Sequence, residues 1–483
     1  MARYFSSALD HHIHRTTNVW TVRLSLSFRV TFTQGVCVTQ SEIMSKSNLL
    51  LPVIQNWGCH NCGGCCREHL IEITAAEKQR IENQGWTAAD GISMERSVIQ
   101  QIGRNRYRLA HQSDGACVFL DERGLCRIHT KHGEPAKPLA CRTYPYAVHP
   151  AGPRKLAVSL RFSCPSVVQN LGSSVDSQKA AIGQLSREIV TGKQRDHDPP
   201  LIHNCPPHGV QQGDWPDFHR FLTALDDCVT DDSVHLVVRL MRILAWLELV
   251  EQSQFQTIRG AKLDDYLSLV TKASVKAQPD NDLPIHRPNR MARIMFRLIA
   301  AQYARHDTEA LVRGGLSTRL SLLNAAMRFT TGFGRVPTLN ESASVSRVFA
   351  DPSDNDPNRT VRFSDLEIAY GGRRSDIDEL LTRYFRVKIQ GLHFCGPAQF
   401  QTSLLDGFRG LALMHPVVMW LARLRAARRA AESIDLVDVQ ASLATADHNY
   451  GYSPALGTPS ALRRVSLLTR MKQLTSLLSW YSQ

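Results

Sequence analysis

A chain of 483 residues with 57 Lys and Arg against 44 Asp and Glu carries a formal net charge of +13. Its 43% hydrophobic and 21% charged residues exclude a disordered or collagen-like chain and leave a globular protein of roughly two to four domains. The basic charge is spread along the chain without a lysine-rich tract, without interleaved aromatics and without a recognisable motif, so a nucleic-acid partner is not expected.

No run of about 18 apolar residues occurs free of charge, so no membrane insertion is expected. "LVVRLMRILAWLELV" comes nearest, and Arg239 and Arg242 interrupt it at helical spacing. Residues 1–43 lack clear periodicity and the layout of a signal peptide. "MSKSNLLLPVIQNW" from Met44 reads as a natural start. The expectation is that 1–43 is a disordered tail or a mis-assigned start, and that the protein is cytoplasmic.

Residues 44–170 form the expected cysteine-rich domain. "WGCHNCGGCCREH" sets Cys59, Cys62, Cys65 and Cys66 within eight residues. "HLIEITAAEKQRIENQGW" predicts a short strand, Leu70–Ile73, then a helix opened by a Thr74–Glu77 capping box. "ACVFLDERGLCRIH" predicts a hairpin looping at Asp121–Gly124, with Phe119 opposite Cys126 and Cys117 opposite Ile128. That register puts Cys117 and Cys126 on one face. Pro138 and Pro145 bracket Cys141 and predict an extended ligand loop. "RKLAVSLRFSC" predicts a strand that delivers Cys164.

Residues 171–214 read as a linker with a short helix near Ser177–Thr191, ending in "HDPPLIHNCPPHG". From 215 to 483 the texture is long amphipathic helices, with a loop near Gly332–Thr360 and a break or kink at Pro416. The four arginines of "RLRAARRAA", Arg423, Arg425, Arg428 and Arg429, read as the wet face of a helix. The fold class predicted is therefore mainly α: a small irregular α+β cysteine-rich metal-binding domain followed by an all-α helical domain.

Eight of the twelve cysteines fall between Cys59 and Cys164. Structural disulfides are rare in the cytosol, so clustered cysteines there point to metal. The candidate ligands are Cys59, Cys62, Cys65, Cys66, Cys117, Cys126, Cys141 and Cys164. Gly63 and Gly64 let the backbone fold tightly between sulfurs. Eight thiolates exceed one zinc ion. They suit two zinc ions, an iron–sulfur cluster with cysteines to spare, or one of each. Arg67, Arg127, Lys137 and Arg142 could offset the charge. His60, His69, His111, His129 and His132 lie in or near the cluster and read first as surface histidines. A nucleophilic role for Cys66 ranks below ligation, since no defined base pairs with it. Cys205, Cys228 and Cys395 read as packing residues. No Gly-rich loop follows a strand, which disfavours a Rossmann-type methyltransferase.

"CHNCGGCC", "CVFLDERGLCRIH" and "CRTYPY" together resemble the YkgJ-type cysteine-cluster family, described as a zinc- or iron-chelating domain. The matching positions are Cys59, Cys62, Cys65, Cys66, Cys117, Cys126, Cys141, Arg142 and Pro145, with His129 where the family usually has Tyr. Some members of the wider group are named flagellin lysine N-methylases. The resemblance therefore implies S-adenosylmethionine-dependent methylation of a protein substrate presenting lysine, beside a cysteine-bound iron–sulfur cluster. "LLTRYFRVKIQ" and "ATADHNYGYSPALG" are the stretches nearest to the methylases' helical half. The alternative is a non-catalytic, zinc-stabilised interaction module that binds a protein or nucleic-acid partner.

Overall fold

The capping box forms as the sequence dictates. Thr74 Oγ1 accepts from the Glu77 backbone N–H, and the Glu77 carboxylate accepts from the Thr74 backbone N–H at 2.8 Å. This start fixes a helix over Ala75–Glu82, immediately after a strand at Glu72–Ile73. The computed structural model describes residues 48–93, 95, 97–190, 198–205, 209–255, 257–278, 285–304, 316–337, 343–350 and 359–483, and the tail expected at 1–43 lies outside them.

The strands sit before the long helices. β1 (Asn48–Leu50) runs parallel to β7 (Lys155–Leu160), which pairs antiparallel with β6 (Tyr146–Pro150). A second sheet orders β3 (Glu72–Ile73), β5 (Arg106–Leu109) and β4 (Ile99–Gly103), all antiparallel. β2 (Asn56–Trp57) and β8 (Ser173–Ser174) form a two-stranded pair. Short helices link these strands: α1 (Cys65–Glu68), α2 (Ala75–Glu82), α3 (Arg127–His132), α4 (Leu139–Thr143) and α5 (Pro165–Val168). α6 (Lys179–Ile189) follows, close to where the sequence places it.

The helical part runs from α7 (Trp215–Thr230) and α8 (Leu236–Glu251) through α9 (Ala261–Ala277), α10 (Arg290–Ala304) and α11 (Leu316–Thr331). α12 (Ala343–Val348) lies inside the stretch expected to be a loop. α13 (Ser375–Gln390), α14 (Leu404–Ala412), α15 (Met414–Arg428), α16 (Leu436–Asn449), α17 (Pro459–Arg470) and α18 (Gln473–Tyr481) complete it. The fold is mainly α. The expected break near Pro416 falls at Leu413, so Pro416 lies in the first turn of α15, where its missing N–H costs no helical hydrogen bond. No described helix is long and apolar enough to cross a membrane.

Two hydrophobic clusters hold these elements. The larger joins β7 and the α5 residues Val167 and Val168 to the helices, including Tyr384 of α13 and Trp420 of α15. Gly391 permits part of this contact, because a Cβ there would lie 2.4 Å from the Ser159 Cβ. The smaller cluster contains Ile73, Ile81, Trp86, Leu109, Phe119 and Ile128, with Cys66, Cys126 and Cys141 packed at its margin.

The arginines of "RLRAARRAA" are not a wet face. Arg423 is fully buried and donates to the carbonyls of Leu366, Trp480 and Gln483. Arg429 pairs with Asp435 and Asp438. These side chains satisfy chain-end carbonyls and acidic partners that the helical period cannot reveal. Cys395 is a packing residue and Cys228 lies within reach of the Thr271 hydroxyl at 3.9 Å, while the Cys205 side chain lies outside the described ones.

Candidate metal centre

The first four cysteines reach their places through two backbone reversals. Asn61 and Gly63 both take positive φ, +58° and +69°, and α1 then starts at Cys65. The turn after Asp121 supports this loop from below. Asp121 Oδ1 accepts from the N–H groups of Arg123 and Leu125, and Gly124 at φ +81° passes so close that a Cβ would lie 2.6 Å from the Asn61 carbonyl. The Cys117 N–H donates to the Cys66 carbonyl at 2.7 Å, tying the second group of cysteines to the first.

The hairpin register differs by one residue from the expected one. Leu120, not Phe119, bridges Cys126, and Cys117 bridges His111. Arg127 already begins α3, so the second arm is a single bridge rather than a strand. Cys141 likewise lies in a helix, α4, with Pro138 as its N-cap, instead of an extended loop. Cys164 follows β7 as expected and stands at the N-cap of α5.

These elements bring the eight cysteines to two adjoining cavities. Cys59, Cys62, Cys65, Cys66, Cys126, Cys141 and Cys164 line one of about 600 Å³. Cys117 joins Cys65, Cys66, Cys126 and Cys141 in the wall of a second, of about 510 Å³. The thiols feel one another. Burial pushes the Cys117, Cys141 and Cys164 thiols up to about 12, each further raised by neighbouring cysteines. The Cys65 thiol is held well above its ordinary value first by a hydrogen bond with Cys66 and then by burial. Burial also raises Cys62, with Cys65 and Cys59 adding to it. Cys65 is the common neighbour, acting on Cys62, Cys117, Cys141 and Cys164 alike.

Of the four cations expected to offset thiolate charge, Lys137 does so, lowering both Cys65 and Cys141. Arg67 is paired with Asp114 at 2.7 Å, Arg142 with Glu188 and Glu134, and Arg127 donates to the Asp90 carbonyl. Among the histidines, His60 bonds Ser166 through Nδ1, His129 lines the larger cavity, and His132 packs edge-on against Trp86. His69 stacks on His448 at 5.5 Å.

The donor set suits a thiophilic metal, and the sulfurs face shared cavities. They ring the space instead of meeting at a point: among the described residues, no three Cys, His, Asp or Glu side chains already stand as a closed ligand set.

Residues outside the candidate ligand set also line the second cavity: Glu68, Arg161, Tyr144, Tyr146 and Tyr452. Glu68 is nearly fully buried and lies 3.8 Å from the His448 ring nitrogen. Tyr452 and His448 come from "ATADHNYGYSPALG", far along the chain from Cys59. Only tertiary packing brings them there.

Residues 58–165 match the family CxxCxxCC, "Putative zinc- or iron-chelating domain". No curated protein and no solved structure matches the chain. The matched segment contains all eight cysteines and supports a metal-chelating cysteine cluster.

Proposed function

We propose that the cysteine ring holds an iron–sulfur centre and that this centre serves a reaction in the adjoining 510 Å³ chamber. One observation carries the reading: Cys65, Cys66, Cys126 and Cys141 line both cavities, so a group held by the ring has a side open to a second compartment. A ring of donors around a space suits a multi-atom cluster better than a single ion, whose four ligands must converge on one point. The chamber falls within the roughly 300–1,000 Å³ of small-molecule sites. An iron–sulfur centre supplies one-electron and radical chemistry. Lys137 balances thiolate charge, and Tyr144, Tyr146 and Phe119 keep the chamber largely apolar. The specific form implied by the resemblance is methylation of a protein lysine with S-adenosylmethionine as donor.

Anaerobic purification tests the centre. A brown protein with broad visible absorption and matching iron and sulfide content is expected. A colourless protein with stoichiometric zinc would remove the iron–sulfur centre. Calorimetric titration of S-adenosylmethionine then tests the methylase form, which fails if no binding heat is seen.

A second reading is favoured by the smaller hydrophobic cluster. Its strands are two to five residues long and its buried members are few, so a metal could act there purely as a staple for a non-catalytic interaction module. In that case zinc is found, and its removal unfolds the cysteine-rich segment without any loss of small-molecule binding.

A further inference from the structure

Arg161 enters the second chamber without an acidic partner. Its guanidinium lies 3.9 Å from the Tyr452 ring centroid and 5.5 Å from that of Tyr144. Nη2 donates to the His448 carbonyl at 3.2 Å. Nε is enclosed and has no hydrogen-bond partner, and among the described residues no carboxylate forms an ion pair with this side chain. An enclosed cation is costly unless its charge is answered. Two aromatic faces answer part of it. The planar fork that remains matches a carboxylate.

The rest of the chamber narrows the ligand. Leu70, Leu109, Phe119 and Ile128 give apolar walls. Glu68, with 2% of its side chain exposed, and Lys137 line the same space. The guanidinium fork set against these apolar walls favours an anion with an apolar body.

We infer that Arg161, between Tyr144 and Tyr452, is the anion-binding residue of this chamber, and that the chamber takes a small amphipathic carboxylate. The inference rests on the metal-centre reading for what the bound molecule does there, and on the chamber alone for its binding.

Benzoate and its neutral isostere benzamide are suitable probes, titrated into the full chain by ligand-observed NMR, with metal content measured on the same samples. Benzoate is expected to bind roughly tenfold or more tighter than benzamide, the worth of a charge-assisted hydrogen bond. Arg161→Gln should abolish that difference. Leu70→Trp, at a half-exposed position of the wall, should weaken both probes without touching the guanidinium, and decides the matter if Arg161→Gln does not fold. Equal binding of the two probes, no binding of either, or an unchanged difference in Arg161→Gln overturns the inference, as does unchanged benzoate binding in Leu70→Trp. A metal-free protein that still prefers benzoate through Arg161 would sink the metal-centre reading and leave this one standing; a metal-loaded protein without the preference would do the reverse.

Discussion

Lys388 of α13 and Asp447 of α16 form an ion pair of 2.7 Å in which neither side chain is exposed to solvent. Burial lowers the ammonium pKa, and Asp447 opposes that. The same two side chains grip the end of β7. Lys388 Nζ donates to the Leu160 carbonyl at 3.2 Å, and Asp447 Oδ2 accepts from the Ser163 N–H at 3.1 Å. Cys164 is the next residue, so the helical part sets where that thiol enters the cavity.

Removing one partner should therefore be costly. Lys388→Met leaves a buried carboxylate whose charge nothing answers, which costs about 3–5 kcal/mol. Lys388→Met with Asp447→Leu should cost less than the sum of the two single changes, because no unpaired charge is left and what is lost is the hydrogen bonding of the Ser163 N–H, the Leu160 carbonyl and the His393 ring, with the packing. Urea unfolding of the three variants checks this. A single-variant cost within the noise of the fit, or strict additivity in the double variant, would show that the pair does not hold the loop.

The pH dependence of stability should carry a signature of His415. Burial first, and Arg373 second, push its imidazole down to about 3. In the unfolded chain it titrates near 6.5. The folded state thus holds the neutral ring, and the stability this provides is complete above pH 6.5 and is lost as pH falls towards 3. By pH 5 the loss from this one group amounts to about 2 kcal/mol. His415→Leu should lose about that much less than the parent between pH 7 and pH 5, measured by urea unfolding at each pH. Parallel losses in the two proteins would contradict a buried neutral ring.

What could be read in advance was what local chemistry writes. The Thr74–Glu77 box, the spacing of Cys59, Cys62 and Cys65, and the amphipathic period of α7 to α10 all act over a few residues. What escaped depends on turn and cap geometry that residue type leaves open, or on partners far away. Cys141 sits in a helix because Pro138 is an N-cap there rather than an extended spacer. Cys126 pairs one residue off because Asp121 captures two N–H groups and tightens the turn. Arg423 looks wet by period and is buried because the chain end folds back onto it. The segments "LLTRYFRVKIQ" and "ATADHNYGYSPALG" stood out only by resemblance, and they supply Lys388, Asp447 and Tyr452 to the region around Cys164 and the second chamber.

Cys65 and Cys59 should differ sharply as serine variants. Cys65 acts on four other thiols and lines both cavities, whereas Cys59 is exposed and lines only the larger. Loss of an outer-shell group already costs a metal site roughly 10–100-fold in affinity, so loss of a shared ligand should cost at least as much. Cys65→Ser is expected to lose most of the bound metal and Cys59→Ser to keep more of it, read by elemental analysis after anaerobic purification. Equal retention would remove Cys65 from the centre of the ring. If Cys65→Ser together with Cys66→Ser left iron and zinc unchanged, the coordination account itself would fail.

Gly124 couples the turn after Asp121 to the first cysteine loop, and this can be separated from ordinary glycine strain. Gly124→Ala meets two penalties: a left-handed backbone at φ +81° and a Cβ 2.6 Å from the Asn61 carbonyl. Backbone strain of this kind costs roughly 1–3 kcal/mol, and the clash adds to it by displacing the loop that carries Cys59 and Cys62. Gly85 is the matched control. Its φ is +62°, and nothing lies within 4 Å of the added methyl, so Gly85→Ala pays the backbone cost alone. Both variants should unfold at lower temperature than the parent, but only Gly124→Ala should also release metal more readily to a chelator, followed by the loss of visible absorption or by a zinc indicator. Equal chelator resistance in the two variants would mean that the turn supports the fold without shaping the metal loop.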